Sequence, residues 1–585
     1  VTSTHSNTEL KPYGLLIKPK EGGEASVQDY PAEELKRLVA EHKIVVFRGF
    51  QLMPKQDFAL FGQDLGEPVQ WPFGAINELI VKHDAENYIY TNRDVPMHWD
   101  GAFIKKEPHL ILFQCLKAPP QQEGGGTTFC NSSLLLQAQD EETRKAWKDI
   151  QIRDSTEKLV HYGGEIKRSL VQNHPVLEEP VLRYAEPVDD LNPVEVKVEG
   201  MQAEEQETFI QDMQRLLYDP RFLYVHRWED GDIVLADNQT LLHGREAFTQ
   251  SNERHIQRVN VLPRPKEFQL SRFIQNSLTI RRKEFFVAEL PILLIPVLLS
   301  LTTLKDLSLP TFWMGMAAVL LLFNIGDMIN CYSDYKLDAI YKSHLSNAVR
   351  ELGKRNVMIQ MVLSGVIAMI ITALVAVNTN QLYLIPLTLI GAFIGLQYSL
   401  PPLKFKSSGP LQFLCLWGII FFGPMLYTAI ITNGFPGIKH LLLFALYGWH
   451  QMAIILLNTA EDYPEDKAMG LNTIVIWMGL HRTMHFAWWS ILVSGLGLQL
   501  LFLHLFSYAP PAYSFLTGSI AIFTIGWIII LKEFRTILKK IREKDTKEAS
   551  DILKKNGMKV PRWLKIGAYT SLAVSAALTF IRLLQ

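Results

Sequence analysis

His98, Trp99 and Asp100 set an imidazole and a carboxylate two residues apart. On a strand, residues i and i+2 share a face, so His98 and Asp100 can grip one metal ion. A second histidine from a distant strand would complete a two-His-one-carboxylate set for Fe(II), leaving coordination positions open for a co-substrate and O2. The segment GDIVLADNQTLLHGREAF reads as a strand leading to such a histidine, His243. Eleven residues later comes Arg254, and four after that Arg258. A buried arginine can pair a carboxylate bidentately, and 2-oxoglutarate carries a distal carboxylate that needs this partner. Between the two halves lies EGGGTTF (123–129), where Thr128 could add a hydroxyl. The glycine run could equally be a flexible loop, and the arginine pair a salt-bridged strand surface. His83, His109, His226 and His255 read as structural or surface histidines, with His255 facing away from the site.

A second set of chemistry-bearing residues follows two apolar stretches, in NIGDMINCYSDYKLD (324–338) and NTAEDYPEDK (458–467). Asp334 and Asp338 are one helical turn apart, as are Asp462 and Asp466, so each pair faces one way. Clustered carboxylates repel unless a cation joins them, and hard oxygen ligands suit Mg2+ bridging to substrate phosphates. The alternative is solvated helix caps paired with Lys336 and Lys467. In YSLPPLKFK (398–406), Lys404 and Lys406 could contact a diphosphate or could serve membrane topology alone.

The elements around these residues divide the chain in two. The whole has 585 residues, 48% hydrophobic, with 58 basic and 59 acidic side chains. That balance excludes nucleic-acid binding by bulk charge. A mean hydropathy of +0.08 is high for a soluble enzyme and low for a membrane protein. Up to about residue 280, apolar runs are short. IVVFRGF (44–50), LILFQCL (110–116) and DIVLAD (232–237) predict buried strands; AEELKRLVAEH (32–42) and AEEQETFIQDMQRLL (203–217) predict helices. Beyond, apolar stretches of membrane-spanning length recur at roughly 285–304, 310–331, 356–376, 381–398, 410–432, 438–459, 483–505, 511–531 and 565–583. Nearly all Lys and Arg of this half fall in alternate loops, and Arg281, Arg282 and Lys283 precede the first stretch. The positive-inside rule then places the N-terminal domain and the acidic motifs in the cytoplasm. The intervening basic segment could lie against anionic headgroups. Cys115, Cys130, Cys331 and Cys415 have no disulfide or zinc spacing, and the polar start VTSTHSNTELKPYG shows no cleaved leader.

HWDGAF, GGTTF, LLHGREAF and RHIQR together resemble the taurine-dioxygenase-like (TauD/TfdA) superfamily of Fe(II)/2-oxoglutarate oxygenases. The resemblance implies a double-stranded β-helix (jelly-roll) fold with His98, Asp100 and His243 on iron and Thr128 and Arg254 on 2-oxoglutarate. Arg258 would meet an anionic group of the primary substrate. Because Asp100 is present, hydroxylation or desaturation is expected rather than chlorination. HWDGAFIKKEPHLILFQCLKAPP and LRYAEPVDDLNP also look like the branch acting on isonitrile-bearing amino-acid derivatives. The second half resembles the UbiA superfamily of intramembrane prenyltransferases in span count and motif order. That resemblance implies Mg2+ on Asp334, Asp338, Asp462 and Asp466, with Asn330, Lys404, Lys406 and Lys467 at a prenyl diphosphate. The family's first motif, NDxxDxxxD, has Cys331 in place of its first Asp, and Asp327, one turn earlier, could compensate.

The expectation is therefore a multidomain chain: a β-rich jelly-roll soluble domain (1–265), a basic linker (266–284) and an all-α nine-helix transmembrane domain (285–585). It would be a bifunctional, multi-pass protein of a bacterial inner membrane, with both sites opening to the cytoplasm. It would take a small-molecule acceptor or oxygenase substrate and bind no nucleic acid. A terpene cyclase in the membrane half, with the oxygenase oxidising its product, is the alternative.

Overall fold

The computed structural model describes residues 5–584 apart from 20–24, 72, 83, 84, 86, 104–106, 121, 122, 158–162, 190, 250–253, 265–268, 469 and 507–512. The chain divides into two compact units: Val1–Leu270 with Asp334–Ala348, and Ser271–Ser333 with Val349–Gln585.

The first unit's strands are β1 (His5–Glu9), β2 (Leu15–Pro19), β3 (Ile44–Phe47), β4 (Glu67–Pro68), β5 (Ile76–Leu79), β6 (Val95–His98), β7 (Leu110–Lys117) and β8 (Thr127–Asn131). They continue as β9 (Gln151–Thr156), β10 (Gly164–Ser169), β11 (Val171–Asn173), β12 (Pro180–Leu182), β13 (Glu195–Val198), β14 (Leu223–His226), β15 (Ile233–Asp237), β16 (Leu241–Arg245) and β17 (His255–Leu262). A major sheet runs β1-β2-β3-β15-β7-β17-β4, with β5 also on β17. A minor sheet runs β14-β8-β16-β6.

The three predicted strands lie at the centre of the major sheet, where both faces are covered, so they read as continuous apolar runs. Their side chains alternate between two cores. Val46, Phe113, Val234 and Ile256 face inward and meet Phe129, Leu241 and Trp228. Phe47, Leu112 and Leu235 face outward onto Leu35 and Phe58. Leu35 and Val39, one turn apart, are the buried side of helix Ala32–His42. Helix Ala203–Leu217 buries Met213 and Leu217 beneath the minor sheet's outer face, with Met97, Cys130 and Leu242. Both helices match the predicted spans. The face-to-face packing of the two sheets is the expected jelly roll.

The Asp334–Ala348 stretch joins this unit through Ala339 and Ile340, which enter the outer core. The Ala75 N–H donates to the Ile340 carbonyl at 2.6 Å. Gly74, at φ 110°, would drive a Cβ to 2.6 Å from that carbonyl oxygen.

In the second unit, each of the nine predicted apolar stretches overlaps a helix among the described residues; those predicted at 285–304 and 381–398 extend beyond helices Phe286–Ser300 and Leu384–Ser399, and residues 511 and 512 lie outside the described residues. Among the described residues, six helices are long and apolar enough to cross a membrane: Pro310–Ser333, Lys354–Asn378, Pro410–Asn433, Ile438–Glu461, Leu480–Leu505 and Val560–Leu583. Glu289–Ser300 and Leu384–Ser399 are apolar but shorter. Tyr513–Ile541 runs ten residues past the predicted end. It continues through Lys532, Glu533, Arg535 and Lys539, where the stretch 532–541 has neither Gly nor Pro to stop it. The Pro410–Asn433 stretch contains a π turn at Trp417–Phe422, next to Pro424. A proline has no N–H to give, and the looser turn absorbs the lost bond.

Candidate active site

His98 and His243 are directly opposite on adjacent strands β6 and β16. Their ring centroids are 4.4 Å apart. Strand β6 ends at His98, so Asp100 is delivered by a turn rather than along the strand as predicted. Gly101 makes the turn at φ 101°, a left-handed conformation that glycine takes without a Cβ penalty. The alternation survives: Trp99 enters the outer core, while Asp100 points inward. Asp100 Oδ1 is 3.9 Å from His98 Nε2, and Oδ2 is 3.9 Å from His243 Nε2. The three ligand atoms lie within 4.8 Å of one another, the one such cluster among the described residues.

Residues that the sequence reading missed hold this turn. The Asp100 N–H donates to Asn238 Oδ1 at 3.0 Å, and Asn238 Nδ2 donates to the Asp100 carbonyl at 2.9 Å. The same Nδ2 reaches the Pro108 carbonyl at 2.9 Å. From the outer side, the Arg168 guanidinium lies 4.0 Å over the Trp99 ring and pairs with Asp154. His98 Nδ1 lies 2.9 Å from the Pro96 carbonyl. Donation to that acceptor places the proton on Nδ1 and leaves the Nε2 lone pair for a metal.

Strand β17 faces the triad. Ile256, Arg258 and Asn260 alternate onto the inner face, and Arg254 lies just before the strand begins at His255. Arg258 Nη1 is 2.9 Å from Asp100 Oδ2, and Asn260 also hydrogen-bonds Asp100. Burial pushes the Asp100 carboxyl up, but Arg258, His243 and His98 outweigh it and hold it below the usual range. Burial lowers His98, and burial with His98 lowers His243 to about 3. One anionic and two neutral ligands are the forms a metal binds. Both ring nitrogens of His243 are buried without a hydrogen-bond partner. This donor set fits Fe(II).

Arg254 is 4% exposed. Its Nε donates to the Gly125 carbonyl at 3.3 Å, and no carboxylate pairs with it among the described residues. Burial, with Arg245 nearby, brings its pKa down to about 9. A buried cation without an anion is costly, and a carboxylate ligand relieves it. The arrangement fits one end of 2-oxoglutarate.

Thr128 is not where the sequence reading put it. In the register of β8 with β16, Phe129 pairs with His243 and Gly244 with Thr128. Thr128 therefore points to the opposite face from His243, with its Oγ1 3.8 Å from Met97 Sδ. Thr127 takes the inner face, where its Oγ1 accepts from Trp228 Nε1 at 2.9 Å. With an acceptor lone pair thus used, its own O–H proton is available to a carboxylate. The three glycines made the motif ambiguous: Gly124–Thr127 and Gly125–Thr128 both satisfy GGxT. Of the remaining histidines, His255 Nε2 bonds Glu78 at 2.7 Å, His226 pairs with Asp232 at 3.2 Å, and His83 lies outside the described residues.

The acidic motifs stand as two pairs, one in each unit. Asp334 is the N-cap of helix Tyr335–Tyr341, and Asp338 is 5% exposed on it. The Asp338 N–H donates to the Asp334 carbonyl at 2.8 Å, and the Asp466 N–H to the Asp462 carbonyl at 2.9 Å, so each pair is one turn apart as predicted. Asp462 is exposed past the end of helix Ile438–Glu461, and Asp466 is buried. Lys467 and Lys404 are exposed; Asn330, Asp327 and Lys406 are half-buried. Cys331 is fully buried, with Sγ 3.7 Å from the Ile280 carbonyl. Its side chain packs rather than facing solvent.

Residues 10–260 match the model of the taurine catabolism dioxygenase TauD, TfdA family, and residues 290–541 that of the UbiA prenyltransferase family. A 3-((Z)-2-isocyanoethenyl)-1H-indole synthase of Fischerella ambigua is 42% identical over 257 residues, 43% of this chain and 94% of the relative. A tyrosine isonitrile desaturase of Pseudomonas aeruginosa is 36% identical over 259 residues, 43% of this chain and 88% of the relative. A solved structure of PvcB, an Fe, alpha-ketoglutarate dependent oxygenase from an isonitrile synthetic pathway, is 32% identical. It covers 45% of this chain and 93% of that one, with a TM-score of 0.39. The chain belongs to the TauD, TfdA family through its first half, an Fe(II)/2-oxoglutarate oxygenase fused to a UbiA prenyltransferase family domain.

Proposed function

We propose that the two units catalyse successive steps of one specialised biosynthetic route: oxidation of a small isonitrile-bearing, amino-acid-derived substrate, and Mg2+-dependent transfer of a prenyl group from a prenyl diphosphate. The observation that carries the first step is the His98, Asp100, His243 triad with Arg258 on the facing strand and Arg254 just before it. Iron with 2-oxoglutarate and O2 supplies the oxidation of an unactivated C–H bond. Arg254 and Thr127 would hold the 2-oxoglutarate carboxylate. Arg258 would turn from Asp100 to a substrate carboxylate, orienting the carbon to be oxidised, and Asn238 would keep Asp100 aimed during that exchange. The names of the relatives favour desaturation over hydroxylation.

In the UbiA-family half of the sequence, each acidic pair, Asp334 with Asp338 and Asp462 with Asp466, would hold Mg2+, with Asp327 standing in for the acid lost at Cys331. Asn330, Lys404, Lys406 and Lys467 would meet the diphosphate as its C–O bond breaks, neutralising charge where it develops. Nine spans with the basic loops on the cytoplasmic side of a bacterial inner membrane would bring both sites to one compartment. The test is mass spectrometry of metabolites from cells expressing the intact chain, His98→Ala or Asp462→Ala. Two different accumulated intermediates are expected; the same metabolite profile from both variants refutes the two-step reading.

A further inference from the structure

The ends of two neighbouring helices in the second unit flank a half-open cavity that neither enzymatic step uses. It holds about 310 Å³ and is lined by His481, His485, Leu538, Ile541, Arg542 and Lys544. His481 and His485 are one turn apart at the start of helix Leu480–Phe506, so both reach the same side. Arg542 and Lys544 follow the last residue of helix Tyr513–Ile541. His481 Nε2 lies 2.9 Å from the Ile541 carbonyl, which fixes the two helix ends together. No acidic residue lines the cavity. Lys544 pairs with Glu548 at 3.1 Å and keeps 49% of its side chain exposed, and Glu543 and Asp545 flank it in sequence.

Depth along the helices comes from the tryptophans. Trp477 and Trp489 are 60% and 57% exposed, and Trp488 Nε1 donates to the Leu531 carbonyl at 3.2 Å. Amphipathic rings of this kind concentrate at the level of lipid headgroups. Trp489 is eight residues from His481, about 12 Å along the helix. The cavity thus opens at the polar edge of the aromatic belt. Positive loops are expected at one end of membrane helices, but loops alone put no histidines on the helix and enclose no volume. Basic pockets between membrane helices bind phosphate headgroups.

We infer that this cavity binds a phosphate-bearing anion at the membrane surface, either the headgroup of an anionic phospholipid or free pyrophosphate. Each basic residue near such an anion contributes about fivefold in affinity, so losing two should weaken binding about thirtyfold. The full-length chain in neutral detergent is titrated, without divalent metal, with phosphatidylglycerol, phosphatidylcholine and inorganic pyrophosphate and read by native mass spectrometry. Arg542→Gln/Lys544→Gln is compared with Arg542→Lys/Lys544→Arg, which keeps both charges. Phosphatidylglycerol binding that falls about thirtyfold in the first variant and persists in the second supports a headgroup site. The same pattern with pyrophosphate supports a soluble ligand. Binding of both that is unchanged by Arg542→Gln/Lys544→Gln, or phosphatidylcholine held as tightly as phosphatidylglycerol, overturns the inference.

Discussion

The register of β8 makes Thr127→Val and Thr128→Val sharply different. Valine keeps the shape of threonine and deletes only the hydroxyl. At 127 the hydroxyl lies on the His243 face, where it would meet the carboxylate that Arg254 would hold. A hydrogen bond to a charged group contributes about 1.5–3 kcal/mol, so KM for 2-oxoglutarate should rise about 10- to 100-fold. At 128 the hydroxyl meets only Met97 Sδ at 3.8 Å, and its loss should change KM less than about twofold. The 127 change carries a structural cost as well, since Trp228 Nε1 loses its acceptor and a buried donor left unsatisfied costs about 1–3 kcal/mol. Thr127→Ser is the control, because it keeps the hydroxyl and should preserve both KM and the Trp228 bond. Succinate release against 2-oxoglutarate concentration gives KM, and thermal melting of the same samples gives stability. The reasoning fails if Thr128→Val raises KM as much as Thr127→Val, or if Thr127→Val leaves it unchanged.

Arg254→Met should abolish 2-oxoglutarate turnover yet raise the apo-protein's stability by about 2 kcal/mol, because it removes an unpaired buried cation; a lower apo melting temperature would contradict that cost. Asn238→Ala frees the backbone on both sides of Asp100 and should weaken Fe(II) binding about 10- to 100-fold, read by anaerobic metal titration; unchanged affinity would show that the turn holds itself. Burial lowers His109 to about 4, so the unfolded chain binds a proton there between about pH 6.5 and 4 and the folded chain does not. Stability should therefore fall by up to about 3 kcal/mol as pH drops through that window, and His109→Leu should flatten this part of the denaturation profile; an unchanged slope refutes the assignment.

The residue types and their order carried much of this protein. His98, Asp100 and His243 were legible because metal-binding donors are few and their spacing is restrictive. Helices Ala32–His42 and Ala203–Leu217 were legible because their apolar periodicity is local. Asn238 was not, since an asparagine after a strand looks like any turn residue until the backbone it clamps, far away in sequence, is brought beside it. Asp100 was expected on a strand, and the turn at Gly101 delivers it instead; spacing cannot tell a two-residue strand step from a turn that ends on the same side.

By itself, then, the sequence determined the two halves, the candidate metal donors, the buried arginines' candidacy and the apolar lengths of the membrane helices. All of these follow from composition and short-range period. The tertiary structure decided which threonine faces the iron site, which residues aim Asp100, and that Cys331 packs against Ile280. Each of those depends on pairing between distant segments. A strand's two faces exchange with a one-residue shift of register, and only the partner strand fixes that register.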